Sequence, residues 1–571
     1  MLWSYSPCSH ETRQHLQDEL GVGPVLAELV SRLGLPDIEA ARRFLNPRLA
    51  DLGDPFVITN LAPAAERLSR AIDRDEVITV FGDYDVDGVT STALLVGILR
   101  RFGLVPHFVV PLRLEEGYGL SREAVDRAVD LEHPGLFVAL DCGTNSVEVV
   151  AYLRSKGVDV LIVDHHRSKE ATPDDCLLVN PHVFDEDKTI VRDLCTVGLV
   201  FKLVHGLVKL RREQNDPRAF QIQLREYLDL VAMGTVADMV PLVDENRVLA
   251  RHGLRMLKKT KRPGLRSLMK VSGMKNGVDV RPVDVSFRLA PRINASGRLA
   301  DASLSVELIL NRDPDFCLET AYQLDGFNRE RQEIERLITD EAFAQVEARS
   351  GEPRGMVVYG DNWHPGVVGI VASRLTRHFH RPCLVLGREG HLAKGSGRSV
   401  GGINLIEVLG ACSDLLTDWG GHPMAVGVSL PVENVPEFQA RFDRAVEVAG
   451  EGREVERILE VAAWLELERV NEELLDELDR LHPFGMANPE PIFASREVVF
   501  SSRPEVFKQQ HFRFALNDST GRRLSGVAWK MAEHLPPVGP RLDIAYQMAW
   551  NHYNGRRTLQ LELAAWRPSQ S

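Results

Sequence analysis

Acids and histidines fall in four short clusters along the chain. Asp83-Tyr-Asp85-Val-Asp87-Gly88 alternates three carboxylates. In an extended segment, alternation sets side chains on one face, about 6–7 Å apart. Grouped carboxylates raise one another's pKa unless a cation neutralises them, and a hard divalent ion takes oxygen ligands. An acidic turn can equally cap a following helix and favour its dipole. The run begins like a calcium-binding EF-hand loop, but Leu94 stands where the closing acid belongs, which excludes that loop. Asp164-His165-His166 brings imidazole, which moves metal preference from magnesium towards manganese. Adjacent residues at a strand end cannot all face one way, so one or two of these three can be ligands. Asp141, in Asp141-Cys-Gly143, and Asp238, closing Ala232-Met-Gly-Thr-Val-Ala-Asp238, are single acids after apolar runs. A buried acid needs a metal or a hydrogen-bond partner. Together the clusters describe a two-metal hydrolytic site, which suits phosphoesters.

Such a site needs elements that bring distant residues together. The apolar runs 77–81, 136–140 and 158–163 each end in an acid and lead into an amphipathic stretch. Near-continuous apolar strands alternating with helices predict a parallel sheet covered on both faces, with its site at the carboxyl ends of the strands. The four clusters are therefore expected on successive strand ends. Residues 1–50 read as a helical lead-in, 51–312 as the sheet-bearing unit and 313–350 as one long connecting helix. A second α/β unit is expected over 351–455. An all-β unit is expected over 456–571, with alternating segments such as His511–Leu516 and turns such as Asn517-Asp518 and Asn554-Gly555.

The 571 residues carry a net charge of −13, which by itself argues against a nucleic-acid partner. The distribution argues otherwise. Residues 491–571 hold 11 Lys and Arg against six acids, and partner choice follows where charge sits. Seven scattered cysteines without a CxxC pair fit a reducing compartment and exclude a disulfide scaffold or zinc ribbon. No apolar stretch reaches the roughly 20 residues of a membrane span, and no secretory signal opens the chain. A cytoplasmic protein without membrane contact is expected.

Asp83-Tyr-Asp-Val-Asp-Gly, Asp141-Cys-Gly, Asp164-His-His and Gly234-Thr-Val-Ala-Asp238 resemble, in order and spacing, the four motifs of the DHH phosphoesterase superfamily. Within it the chain resembles the RecJ branch of bacterial single-strand-specific 5′→3′ DNA exonucleases. Pro291-Arg-Ile-Asn-Ala-Ser-Gly-Arg-Leu299 continues the likeness. Trp363–Ile370, Gly395–Ser399 and Gly420-Gly-His422 are similar to the associated DHHA1 domain, and Leu481–Pro489 leads into a segment similar to the family's OB-fold.

The resemblance implies two divalent ions, Mn²⁺ or Mg²⁺. Asp141 would bridge them, and Asp83, Asp85, Asp87, His165 and Asp238 would complete the ligand set, the division of the first three between the ions staying open. His166 would meet the scissile phosphate or the leaving group, and Asp164 would orient the histidines. Arg292, Asn294 and Arg298, in one short loop, would bind phosphate. Ser396, Gly397, Arg398 and Ser399 read as a nest of backbone N–H groups, a hydroxyl and a guanidinium that could hold a terminal phosphate, with Gly420, Gly421 and His422 beside it. Phe512, Arg513, Trp529, Lys530, Arg556 and Arg557 interleave stacking faces with positive charge, as sequence-tolerant single-strand binding requires.

The implied activity is release of 5′-mononucleotides from single-stranded DNA during recombination, mismatch and excision repair. The implied partners are a RecQ-type helicase and a single-strand-binding protein, and a monomer is expected. A DHH phosphoesterase on short oligonucleotides or cyclic dinucleotides needs only the two α/β units. A non-catalytic replication scaffold of the same fold would have lost ligands, and none is missing here.

Overall fold

The computed structural model describes residues 2–569 apart from 113–115, 117–118, 169–170, 276, 350, 352, 451–457 and 554–555. The expected turn at Asn554-Gly555 lies outside the described residues.

The first unit is built on five parallel strands: β1 (Ile78–Gly82), β2 (His107–Val109), β3 (Leu136–Leu140), β4 (Asp159–Val163) and β5 (Leu177–Val179), in the order β2-β1-β3-β4-β5. β1 and β3 are buried along their whole length, as apolar runs in a two-sided parallel sheet must be. Val80, Val138 and Leu161 face one core, and Phe81, Phe137 and Ile162 the other. Helix α1 (Val86–Arg101) follows β1. α2 (Thr196–Glu213), α3 (Leu228–Ala237), α4 (Asp244–Lys258) and α5 (Ala290–Leu299) come later in the chain.

The expected long helix is α6 (Pro314–Glu347). Asp313 caps it and Pro314 starts it, the position where a missing N–H costs nothing. Its Cys317, Ala321 and Leu324 pack into the first unit, and its Ile338, Ala342 and Val346 into the second. One rigid helix thus belongs to both cores.

The second unit has a mixed sheet: β6 (Met356–Gly360), β7 (Cys383–Glu389), β8 (Leu392–Arg398), β9 (Asp418–His422) and β10 (Ala425–Pro431), in the order β9-β10-β8-β7-β6, with α7 (Pro365–Phe379) between β6 and β7. The third unit is a seven-stranded sheet whose long strands Arg541–Tyr553 and Arg556–Pro568 lie at its centre.

Residues 1–50 are helical, as expected, but they do not stand apart. Leu2–Ser4 pairs with Ile458–Glu460, and Leu16, Leu26 and Phe44 share the core of Phe493, Phe512 and Tyr546. A helix as apolar as Pro24–Ser31 must bury its sides somewhere, and the C-terminal sheet supplies the place. Among the described residues no helix is long and apolar enough to cross a membrane.

Candidate metal centre

β1, β3 and β4 end level, and each hands the chain to an acid. Asp83 N donates to Leu140 O (3.2 Å), Asp141 N to Val163 O (3.0 Å) and Asp164 N to Val179 O (3.1 Å). The ladder thus runs one residue past the strands and sets the three acids in a row. Asp141 has a left-handed φ of +65°, a conformation that concentrates at functional sites.

Asp83, Asp85 and Asp87 do not alternate on one extended face. The chain turns into α1 directly after Asp85, whose Oδ1 caps the helix by accepting from Asp87 N (2.8 Å) and Gly88 N (3.1 Å). A Cβ on Gly88 would lie 2.3 Å from Asp83 O, so the turn requires glycine. Asp87 is turned instead onto the N-terminus of α2, accepting from Thr196 N (2.7 Å) and Val197 N (2.8 Å). Thr196 Oγ1 also donates to Asp141 Oδ1 (2.8 Å).

Asp238 is not at a strand end. It caps the C-terminus of α3, and Gly234 lets that helix lie against Asp87, whose Oδ1 would be 2.8 Å from a Cβ there. His165 Nε2 stands 3.4 Å from Asp238 Oδ2 and 3.6 Å from Asp141 Oδ1. The first two of these atoms are buried without a hydrogen-bond partner.

Asp164 serves its neighbours. Its Oδ2 accepts from Thr144 N and Oγ1, and its Oδ1 accepts from His165 N, His166 N and His166 Nδ1 (2.8 Å). Burial pushes the Asp164 carboxyl up, but His166 and His165 outweigh it and hold the group well below the usual carboxylate range. In return Asp164 overcomes the burial of His166 and raises it to about 9. Burial, then the charge of His166, lowers His165 to about 3, so its imidazole is neutral and able to accept a cation. Burial followed by repulsion from Asp87 and Asp85 raises Asp238 to about 9. Burial, then Asp85, raises Asp87 to about 7. Asp141 rises for the same two reasons, burial and the neighbouring acids.

Three overlapping triads each bring ligand atoms within 4.8 Å of one another: Asp83, Asp85 and Asp141; Asp87, His165 and Asp238; Asp141, His165 and His166. Asp141 is common to two of them. Crowded acids, a neutral imidazole and orphaned buried acceptors make a donor set that divalent cations fit.

The outlying candidates fare unevenly. Arg292, Asn294 and Arg298 lie on helix α5, not in a loop. Gly297 lets α5 approach Tyr84 of the first acidic cluster, because a Cβ there would meet its ring at 2.7 Å. Arg292 is committed to Asp325 of α6 (2.8 Å) and to Arg288 O. Arg298 Nη1 donates across to Gly366 O at the start of α7 (2.5 Å), and Asn294 Oδ1 is buried without a hydrogen-bond partner.

Ser396, Gly397 and Arg398 belong to strand β8, so the expected backbone nest does not form. Gly397 faces the core against Leu384 and Val426, while Ser396 and Arg398 face α7 at Gly369. Ser399 Oγ donates to Ile403 O (2.8 Å). Gly420, Gly421 and His422 are on β9. Ala425 pairs with both Arg398 and His422, which puts those two at one end of the sheet.

In the third unit Phe512 is fully buried, so it packs the core and cannot face a strand of DNA. Its neighbour Arg513 is exposed, as period-two alternation requires. Trp529 is 51% exposed and packs edge-on against Phe507 and His511, with Arg513 over the Phe507 ring. Lys530 and Arg556 are exposed. Arg557 lies over Trp550 and pairs with Asp476. The side chains that the sequence reading missed are Thr144, Asn180, Thr196, Phe507 and His511. Asn180 joins the site by donating to Thr144 Oγ1 and His166 O.

Known proteins resemble this chain in sequence and fold. Three family models match in chain order: the DHH family N-terminal domain over residues 77–235, the DHHA1 domain over 352–448 and the RecJ OB domain over 461–565. Fold and site together define a DHH-type phosphoesterase. The chain is 35% identical to the single-stranded-DNA-specific exonuclease RecJ of Bacillus subtilis (strain 168) over 566 residues, 98% of this chain and 70% of that one. It is 35% identical to the same-named protein of Dickeya dadantii (strain 3937), covering 94% and 95% of the two chains. The crystal structure of Thermus thermophilus RecJ with Mn²⁺ superposes with a TM-score of 0.84 at 29% identity, covering 100% of this chain and 80% of that one. The corresponding Mg²⁺ structure gives 0.79 at 27% identity over 100% and 79%. The chain belongs to the RecJ family.

Proposed function

We propose that this protein is a metal-dependent exonuclease that degrades single-stranded DNA from its 5′ end to 5′-mononucleotides. The observation that carries the reading is the linkage of three acid and histidine triads, in which Asp141 and His165 are each shared by two. Relatives at 35% identity bear the name of a single-stranded-DNA-specific exonuclease.

Asp83, Asp85, Asp87, Asp141, His165 and Asp238 would hold two divalent ions, Asp141 between them. Mn²⁺ and Mg²⁺ in the two Thermus structures support either ion. Bound there, the ions supply Lewis acidity to the phosphodiester and lower the pKa of water. His166 carries a proton that Asp164 secures, and can donate from Nε2 to a phosphate oxygen or to the leaving oxygen. Asn294, Arg298, Ser396, Arg398, Gly420, Gly421 and His422 would hold a phosphate between the two α/β units. Arg292 positions α5 on α6.

Trp529, Phe507 and His511 offer stacking faces beside Arg513 and Lys530, which suits a strand read without sequence preference. The third unit also favours a long polymer over a dinucleotide. We take the units to be 1–50, 51–312, 313–350, 351–455 and 456–571, the first packed on the last. The seven free cysteines suit the cytoplasm. A monomer working with a RecQ-type helicase and a single-strand-binding protein, in recombination and in mismatch and excision repair, completes the reading.

The test uses strands labelled at either end, a blunt duplex and a dinucleotide, with Mg²⁺ or Mn²⁺. Labelled mononucleotide should leave first from the 5′ end of single strands. First release from the 3′ end, or cleavage of the dinucleotide alone, overturns the proposal.

A further inference from the structure

Met239 follows Asp238 directly, and its environment is at odds with its chemistry. The chain from Leu228 to Val236 is buried, and Val240 and Leu242 return to the same core. Met239 between them is 63% exposed. Its φ is +60°. This is the position just past a helix C-cap, where glycine, or else asparagine, is the usual residue because a side chain strains the left-handed backbone. A strained, solvent-facing apolar side chain gains nothing for the fold. Its Cα lies about 3.8 Å from that of Asp238, the span of one peptide unit. Asp238 Oδ2 in turn faces His165 Nε2 at 3.4 Å. A second exposed methionine is tied by its backbone to the same segment: Met486, 50% exposed, accepts from Leu242 N through its carbonyl (2.8 Å).

We infer that Met239 is a base-contacting residue: its thioether packs on the face of a nucleobase flanking the scissile phosphate. This rests on the nuclease reading above. A flexible, polarizable thioether fits any base, so the contact carries no sequence preference. A base in a duplex has its faces stacked on its neighbours and cannot offer one without unstacking, so the contact favours single strands.

Met239→Asn keeps a residue that tolerates the left-handed backbone and removes the apolar contact. Met239→Gly does the same and relieves the strain. Both variants are to be compared with wild type on a single strand, on strands abasic at the first or second nucleotide from the 5′ end, and on a recessed duplex end. On the intact strand both variants should raise KM about tenfold, the order expected when half of a methionine side chain loses its burial. On one of the two abasic strands wild type and variants should agree within about twofold. Preference for single strand over recessed duplex should fall. Mg²⁺ affinity should stay within about twofold of wild type, which separates the contact from the ligand Asp238.

Equal KM values on the intact strand overturn the inference. So does the same tenfold loss on both abasic strands, or a fall in kcat with KM unchanged. If wild type itself does not degrade the single strand, the functional reading fails instead.

Discussion

Buried carboxylates gathered without a counter-charge hold protons, and this ties the metal centre to pH. Asp87 and Asp238, lifted to about 7 and about 9 by burial and by repulsion from neighbouring carboxylates, Asp85 above all for Asp87, are carboxylic acids at low pH. A raised folded pKa gives stability that is complete below the ordinary carboxylate pKa and is lost as pH rises through the folded value. His166, raised to about 9, acts in the same direction above its ordinary 6.5. The metal-free protein should therefore lose thermal stability between about pH 4 and pH 9. Divalent ions replace those protons, so saturating Mg²⁺ should raise Tm more at pH 8.5 than at pH 6. Melting curves with Mg²⁺ or with chelator measure this, and an equal gain at both pH values contradicts it. The acids and histidines were legible in the sequence because only a few residue types bind hard cations. Thr144, Asn180 and Thr196 were not, since a threonine or asparagine that orients a ligand looks like any other until its partner is in place. Phe512 was misjudged because a strand's period says which residues share a face but not which face is inward.

Elements reach the site through close approaches, and glycine permits them. A Cβ on Gly234 would meet Val197 at 2.6 Å, Thr90 Oγ1 at 2.7 Å and Asp87 Oδ1 at 2.8 Å. Gly234→Ala should push α3 away from α1 and α2 and cost about 1–3 kcal/mol, with weaker Mg²⁺ binding because Asp238 moves too. Gly326, in the middle of α6, has nothing within 4 Å of its Cβ position. Gly326→Ala should stabilise by about 0.4–1 kcal/mol through the unfolded chain. Urea denaturation of both variants checks the pair, and a neutral Gly234→Ala would mean that α3 is not held by this contact. The parallel strands and α6 were legible because long apolar or amphipathic runs admit one reading. α5 was not: Pro291, Asn294 and Gly297 read as a loop, and packing on Tyr84 and α6 makes the segment a helix. β8 reads as a glycine nest, but β7 and β10 pair it on both sides and draw it into the sheet.

At the scale of the whole molecule, the chain closes on itself. Arg247 of α4, fully buried, donates to the carbonyls of Phe44 (2.7 Å), Arg480 (3.1 Å) and His482 (3.1 Å), joining the first unit to the N-terminal helices and to the turn that leads into the C-terminal strands. Carbonyl oxygens stand in for the carboxylate that a buried guanidinium normally takes. The order of units was legible from changes of texture along the chain. The return of the first 50 residues to the last sheet was not, because nothing local specifies a partner so far along the sequence. Charge divides along the same lines: acids collect at the metal centre, and the C-terminal strands carry a basic surplus within a chain of net −13. Cleavage and strand binding should therefore separate. Asp141→Ala, measured side by side with wild type for cleavage of a 5′-labelled single strand and for affinity to it, tests that most directly. The expected result is cleavage reduced at least about 1,000-fold, with affinity within about threefold of wild type. Cleavage that survives the substitution would contradict the assignment of the metal centre as the seat of catalysis.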